Sequence, residues 1–150
     1  MPIIRQRIQT TLPVDDAFAF VADFANAARW DPGTVTSERV DAGPVGEGAR
    51  YQLGVRMAGR TAPMEYRITK FDAPRRVVLH GAGSGVSAVD DIRFAGSPTG
   101  TTIDYTADIR LTGLLRLVQP FAGRAFAAIG RDAAAGMDKA LAELAANKQP

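Results

Sequence analysis

The chain has 150 residues, a length typical of one domain, and a chain of this length buries roughly 70% of its unfolded surface. Its composition, 46% hydrophobic and 23% charged, is that of a soluble globular protein and argues against disorder. It has no cysteine and one histidine, which excludes disulfides, thiolate chemistry and Cys-based or His-rich metal sites. The net charge is +2, and the basic residues are scattered along the sequence, so we expect no nucleic-acid partner.

The N-terminal residues resemble neither a signal peptide nor a transit peptide. No uncharged apolar run approaches the ~18 residues needed to cross a bilayer. We therefore expect a cytoplasmic protein without a membrane span. We also expect no metal and no cofactor, and either a monomer or a homodimer.

The first elements are a strand and two short helices. Residues 3–12 alternate in the manner of a strand, which Pro13 ends. Two short helices then follow as far as about Arg29, and Pro32 and Gly33 stop them.

From residue 34 to residue 112 the hydrophobic period is two, which predicts strands. The predicted strands are 34–42, 48–57, 62–72, 75–82, 85–95 and 101–112. Turn residues separate them by short intervals, so neighbouring strands are expected to be antiparallel.

Two hairpins can be given a register. A turn at 58–61 pairs the following residues: Val55 with Met64, Leu53 with Tyr66, Tyr51 with Ile68, and Gln52 with Arg67. A turn at 97–100 pairs these: Phe94 with Ile103, Ile92 with Tyr105, Ala88 with Ile109, and Arg93 with Asp104. Both registers give one apolar face, which a slip of one residue would expose.

Residues 114–147 predict one long amphipathic helix, kinked or begun at Pro120. Its apolar stripe consists of Phe121, Ala125, Ile129, Ala133, Met137, Leu141 and Leu144. Glycines at 123, 130 and 136 would let the helix lie close to the sheet or leave space beneath it. The apolar face of a seven-stranded antiparallel sheet must be covered, and this helix is the element long enough to cover it.

Several short motifs occur in a characteristic order. They are 13–18 at the first helix, Trp30-Asp31-Pro32, Gly46-Glu47-Gly48, the run 71–77 (FDAPRRV), and Gly100-Thr101. With the order of elements, they resemble the START-like superfamily, and within it the small polyketide cyclase/dehydrase-type proteins. The resemblance covers essentially the whole chain. It implies a single α+β helix-grip domain over 1–150, with a curved sheet around the C-terminal helix and an elongated apolar cavity between them.

The resemblance also implies a hydrophobic small-molecule ligand, such as a lipid, a polyketide or an aromatic compound. One alternative is a cyclase/dehydratase-type enzyme that uses a cavity carboxylate or tyrosine. Another is a protein-interaction module whose apolar groove is closed by a partner or by a second copy of the chain. Binding is the preferred function, and no catalytic residue is assigned.

Polar residues interrupt the predicted inner face of the sheet. They are Gln6, Thr10, Tyr51, Tyr66, Asp90 and Tyr105, with Glu38 added if Val40 pairs with Tyr51. They suit a cavity of ~300 Å³ or more for a hydrophobic ligand with a few oxygens, although the tyrosines can equally be core residues. The predicted ligand-binding residues are Trp30, Tyr51, Leu53, Met64, Tyr66, Asp90, Tyr105, Phe121 and Ile129.

Asp90 is the best candidate for proton transfer, because burial on an apolar face raises the pKa of a carboxyl group. It can instead form a structural bond or turn to solvent at a bulge. His80 is predicted on the outer face opposite Arg67, and Asp31 is predicted to cap a turn. Trp30 either anchors a short helix or lines the cavity entrance. The glycine-rich run 81–85 lacks the complete dinucleotide-binding pattern and predicts a hairpin turn.

Overall fold

The computed structural model describes residues 3–57, 59–83 and 85–148. Ala58 and Ser84, which belong to two of the predicted turns, lie outside the described residues. The strands are β1 (Ile3–Thr10), β2 (Thr34–Arg39), β3 (Arg50–Met57), β4 (Arg60–Asp72), β5 (Arg76–Gly83), β6 (Val86–Ser97) and β7 (Gly100–Leu111). The helices are α1 (Val14–Ala22), a 3₁₀ turn (Phe24–Asn26), α2 (Ala27–Trp30), a 3₁₀ helix (Gly113–Phe121) and α3 (Gly123–Lys148).

All seven strands form one antiparallel sheet in the order β1-β7-β6-β5-β4-β3-β2. Strands β2 to β7 are sequential neighbours, as short connections favour, whereas β1 pairs with β7 across most of the chain. The sheet curls around α3, with the two short helices between β1 and β2. The predicted helix-grip architecture is confirmed.

The β6–β7 hairpin has the predicted register, with Phe94 opposite Ile103 and Arg93 opposite Asp104. The β3–β4 hairpin differs by two residues, and its observed pairs include Leu53 with Met64, Tyr51 with Tyr66, and Gln52 with Glu65. The turn is tighter than predicted, because Gly59 at φ 76° lets Met57 pair with Arg60. A shift of two residues changes the partners but leaves the inner face unchanged.

The predicted inward position of Glu38 is wrong. A bulge between Thr34 and Thr36 shifts the register of β2, so Arg39 rather than Val40 lies opposite Tyr51. Glu38 is exposed, and the Arg39 guanidinium lies 5.7 Å from the centre of the Tyr51 ring.

The predicted helix over 114–147 is divided into the 3₁₀ helix Gly113–Phe121, which contains Pro120, and α3. The apolar stripe is fully buried only in the second half of α3: Met137 and Leu141 are buried, whereas Phe121 is 84% and Ile129 46% exposed. Ala125 is also exposed, and Phe126 packs against the core instead. The break before Gly123 therefore sets the face that the helix turns inward.

Aromatic side chains fill the core beneath the short helices. The ring of Phe18 lies edge-on to Phe71 and Phe94, with centroids 5.2 and 5.0 Å away. Phe24 lies 5.3 Å from Tyr66 and 6.1 Å from Trp30. Tyr66 and Trp30 lie at the edge of this cluster and also border the open space between α3 and the sheet.

Candidate functional site

A cavity of about 120 Å³ lies between α3 and the inner face of the sheet. β1, β6 and β7 supply most of its floor, Tyr66 comes from β4, and Trp30 and Asp31 close one side. Its remaining lining residues are Ile4, Gln6, Ile8, Ala88, Asp90, Tyr105, Ala107, Ile109, Ile129, Gly130, Ala133, Ala134 and Met137. The lining is mainly apolar, with a few polar groups that converge on the β6–β7 floor.

The cavity is smaller than the ~300 Å³ expected for a drug-sized ligand. α3 approaches β1 and α2 closely: a Cβ atom at Gly130 would lie 2.3 Å from Ile4 Cγ2, and one at Gly136 would lie 2.0 Å from the Trp30 carbonyl oxygen. The Tyr66 ring lies over Gly81, where a Cβ atom would be 2.5 Å from it. The small residues thus bring the walls together rather than widening the space.

Asp90 and Tyr105 form the polar centre of the cavity. Asp90 is 6% exposed, and the Tyr105 hydroxyl donates a hydrogen bond to its Oδ2. Burial raises the pKa of Asp90 to about 7; the hydrogen bond from Tyr105 opposes this rise, and the charge of Asp31 adds to it. Burial and the Asp90 carboxyl raise the pKa of Tyr105 well above its usual value, so the phenol stays a donor at neutral pH.

Trp30 and Asp31 form the side of the cavity next to α2. The Trp30 ring is buried, edge-on to Tyr105 at 5.9 Å, and its indole N–H has no hydrogen-bond partner among the described residues. Asp31 accepts hydrogen bonds of 2.9 Å from Gly33 N and from Thr34 Oγ1. It therefore caps the turn before β2, as predicted. Burial also raises the pKa of Asp31. Trp30 therefore anchors its helix and lines the cavity at the same time.

The structure brings five of the nine predicted ligand-binding residues to the cavity: Trp30, Tyr66, Asp90, Tyr105 and Ile129. It places the other four elsewhere. Tyr51, Leu53 and Met64 are buried in the core, where the curl of the sheet carries β3 past the cavity and Phe24 lies 6.4 Å from Tyr51. Phe121 belongs to the 3₁₀ helix and is exposed.

Several lining residues were not predicted. Ile4 and Ile8 share the inward parity of Gln6, and that parity was a usable signal. The pairing of β1 with β7, which places them beside Tyr105, has no local signal in the sequence.

Thr10 has inward parity but lies outside the lining, where its Oγ1 accepts a 3.2 Å hydrogen bond from Leu12 N. His80 is exposed opposite Arg67, as predicted.

Within residues 3–57, 59–83 and 85–148, no group of three or more acidic or histidine side chains is arranged to hold a metal ion. None of the helices in the same ranges is long and apolar enough to cross a membrane.

Solved structures with this fold support the architecture. A START superfamily protein from Mycobacterium smegmatis matches with a TM-score of 0.80 at 11% identity, covering 95% of this chain and 98% of the other. The Zhui aromatase/cyclase from Streptomyces sp. R1128 matches with a TM-score of 0.76 at 16% identity, covering 97% and 94%. The di-domain ARO/CYC protein BexL from the BE-7585A biosynthetic pathway matches with a TM-score of 0.73 at 21% identity, covering 98% of this chain and 48% of that one.

The curled sheet, the long C-terminal helix and the short helices between the first strands define the helix-grip fold, which the START superfamily protein shares. The chain belongs to the family described as polyketide cyclase/dehydrase and lipid transport, whose model matches residues 1–147. No curated protein matches the sequence.

Proposed function

We propose that the protein binds a small hydrophobic molecule that carries at least one polar oxygen, in the cavity between α3 and the sheet. The observation that carries this proposal is the Asp90–Tyr105 pair in an otherwise apolar lining. A carboxyl group with a pKa of about 7 is both donor and acceptor near neutral pH, and it can exchange a hydrogen bond with a ligand hydroxyl or carbonyl. The Trp30 N–H, which has no acceptor among the residues that the structure describes, offers a second donor on the adjoining wall.

The size of the cavity narrows the ligand class. An apolar cavity of about 150 Å³, engineered in another protein, accommodates one benzene ring. The present cavity of about 120 Å³ is of this order, so a ligand with one ring enters with little rearrangement. A polycyclic ligand requires α3 to move away from β1, where Gly130 now lies against Ile4.

The test uses 4-methylphenol, which has one ring and one hydroxyl. We expect calorimetric binding, together with NMR shift changes at the amides of β6 and β7. Ala107→Phe fills the floor of the cavity and should abolish binding, whereas Ala82→Phe, on the exposed side of β5, should leave it unchanged. The proposal is wrong if both variants bind like the wild type, or if a panel of single-ring phenols and ketones shows no binding to the wild type.

The pKa of Asp90 also supports a second candidate function, a dehydration or cyclisation by proton transfer. A general acid or base works best when its pKa lies near the working pH, and Asp90 meets that condition inside a cavity. In this function the Asp90 carboxylate removes a proton from the carbon next to a ligand carbonyl. The resulting carboxylic acid then protonates the leaving hydroxyl, so that water departs and a conjugated carbonyl remains.

Dehydration of 3-hydroxycyclohexanone to cyclohexenone tests this function, because the product absorbs in the ultraviolet. We expect Asp90→Asn to abolish turnover without weakening binding, and Asp91→Asn, on the outer face, to retain turnover. If the wild type binds single-ring ketones but converts none of a panel of β-hydroxy ketones, binding stands without catalysis.

A further inference from the structure

The 3₁₀ helix Gly113–Phe121, here called the apolar segment, has no buried residue. Leu114, Leu117 and Phe121 are 86%, 75% and 84% exposed, and Leu115 and Val118 are also exposed. Scattered apolar residues are normal on a protein surface, but five in eight consecutive positions form a contiguous patch. The patch is the most exposed apolar surface in the described part of the chain.

The apolar segment is held in place by the sheet. Gln119 Oε1 accepts a 3.1 Å hydrogen bond from Leu111 N, and Thr112 N donates a 2.9 Å hydrogen bond to the Gly85 carbonyl oxygen. The Leu115 side chain lies over Gly85, where a Cβ atom would be 2.4 Å from its Cδ1. These contacts fix the apolar segment on the sheet, and its apolar side chains remain exposed to solvent.

The end of the sheet that carries the apolar segment is basic. Met64, near the start of β4, pairs with Gly83 at the end of β5, and Val86 at the start of β6 pairs with Leu111 at the end of β7. The β3–β4 turn, the β5–β6 turn and the end of β7 therefore lie at the same end of the sheet. Five arginines belong to these segments and to the start of α3: Arg56, Arg60, Arg110, Arg116 and Arg124. The sequence ranges 55–63, 81–87 and 109–131 contain no aspartate or glutamate.

Most of this positive charge has no carboxylate partner among the described residues. Arg110 forms an ion pair of 3.4 Å with Asp108, two residues before it on β7. Arg56, Arg60, Arg116 and Arg124 form no ion pair with any described residue. An apolar patch with unpaired cations at its border is the combination that binds the interface of an anionic membrane.

We propose that this end of the molecule docks on the surface of an anionic lipid bilayer. The side chains of Leu114, Leu117 and Phe121 enter the interfacial region, and the surrounding arginines contact lipid phosphates. A second copy of the chain fits this surface less well, because a symmetric contact would bring the arginines of the two copies together. The bilayer supplies an apolar layer and negative charge at once.

Vesicle co-sedimentation tests the proposal. We expect binding to vesicles of phosphatidylcholine and phosphatidylglycerol at 7:3, with roughly tenfold weaker binding to phosphatidylcholine alone or in 0.5 M salt. The double variant Leu117→Ser/Phe121→Ser should lose about tenfold or more in binding to the anionic vesicles. Arg116→Gln/Arg124→Gln should lose about tenfold on anionic vesicles and nothing on neutral ones.

Two matched controls remove the same kinds of side chain elsewhere. Val40→Ser removes an exposed apolar group near the opposite end of the sheet, and Arg67→Gln removes an exposed arginine on its outer face. Both should bind vesicles as the wild type does, and circular dichroism should show every variant folded. Equal losses in controls and test variants would overturn the proposal, as would no binding to anionic vesicles. A dimer in light scattering that Leu117→Ser/Phe121→Ser converts to a monomer, without vesicle binding, would assign the surface to self-association and overturn it too.

Discussion

Asp90 and Asp91 are adjacent on β6, and the alternation of the strand gives them opposite environments. Asp90 points into the cavity, where burial raises its pKa to about 7. Asp91 lies on the outer face, where Arg76 donates hydrogen bonds of 3.0 and 2.8 Å to its carboxylate. Partial burial pushes the pKa of Asp91 upward, but Arg76 and Arg93 outweigh it, and the net shift is downward.

These shifts predict how stability depends on pH. Because the pKa of Asp90 is higher in the folded state than in the unfolded chain, the folded state binds more protons between about pH 4 and pH 7. The stability that Asp90 contributes is complete below about pH 4 and is lost as the pH rises through 7. Relative to Asp90→Asn, the free energy of unfolding of the wild type should fall by about 1.4 kcal/mol per pH unit within this window.

Urea unfolding of both proteins at pH 4.5, 5.5, 6.5 and 7.5 measures this difference. Asp91→Asn is the control with the opposite sign: its carboxylate stabilises the fold at high pH, and that contribution is lost as the pH falls. A difference between wild type and Asp90→Asn that does not change with pH would show that the Asp90 carboxyl is solvated.

Tyr105 controls the acidity of Asp90. Its hydroxyl bonds to the carboxylate form and so lowers the pKa that burial has raised. We expect Tyr105→Phe to move the pKa of Asp90 above 7, as measured by a carbon-13 NMR titration of the side-chain carboxyl. Tyr66→Phe should move it less, because no hydrogen bond joins Tyr66 to Asp90 among the described residues. An unchanged pKa in Tyr105→Phe would contradict the hydrogen bond.

At the scale of elements, the position of α3 depends on two glycines. Gly136 lies against the Trp30 carbonyl oxygen and the Pro32 ring, and Gly130 lies against Ile4. Each allows an approach that a Cβ atom would prevent. The close approach at Gly130, which lines the cavity, lowers its roof beside β1, and the approach at Gly136 holds α3 against α2.

Gly136→Ala should destabilise the protein by about 1–3 kcal/mol, because its Cβ would lie 2.0 Å from a backbone oxygen and α3 must move away. The control is Gly123→Ala at the start of the same helix, where a Cβ atom meets nothing within 4 Å. That variant should be neutral, or stabilising by up to about 1 kcal/mol, through helix propensity. Thermal unfolding of both variants measures the difference, and equal effects would place α3 further from α2 than the structure does.

At the scale of the whole molecule, a ligand in the cavity couples α3 to three strands that are distant in the sequence. Binding to the folded state alone stabilises it by about 2.7 kcal/mol at a ligand concentration of 100 Kd. For a chain of this size we expect 4-methylphenol at that concentration to raise Tm by roughly 5–11 °C. Ala107→Phe should show no rise, and an equal rise in that variant would place the ligand outside the cavity.

The amino-acid sequence by itself determined the faces of the strands and the order of the elements. The alternation through β6 and β7 placed Asp90 and Tyr105 on one inner face, because the side-chain period of two is a local property of the backbone. The turn at 97–100 then set the register that joins them. The resemblance carried by motifs along the whole chain gave the helix-grip class, which the fold and the family confirm.

Only the tertiary structure decided what lies around that pair. The curl of the sheet carries Tyr51 and Leu53 away from the cavity, and the pairing of β1 with β7 brings Ile4 and Ile8 to it. The volume of the cavity depends on how closely α3 approaches, and arginines scattered along the sequence meet at one end of the sheet. Curvature, helix approach and long-range pairing result from the sum of contacts between distant residues, so no local pattern in the sequence encodes them.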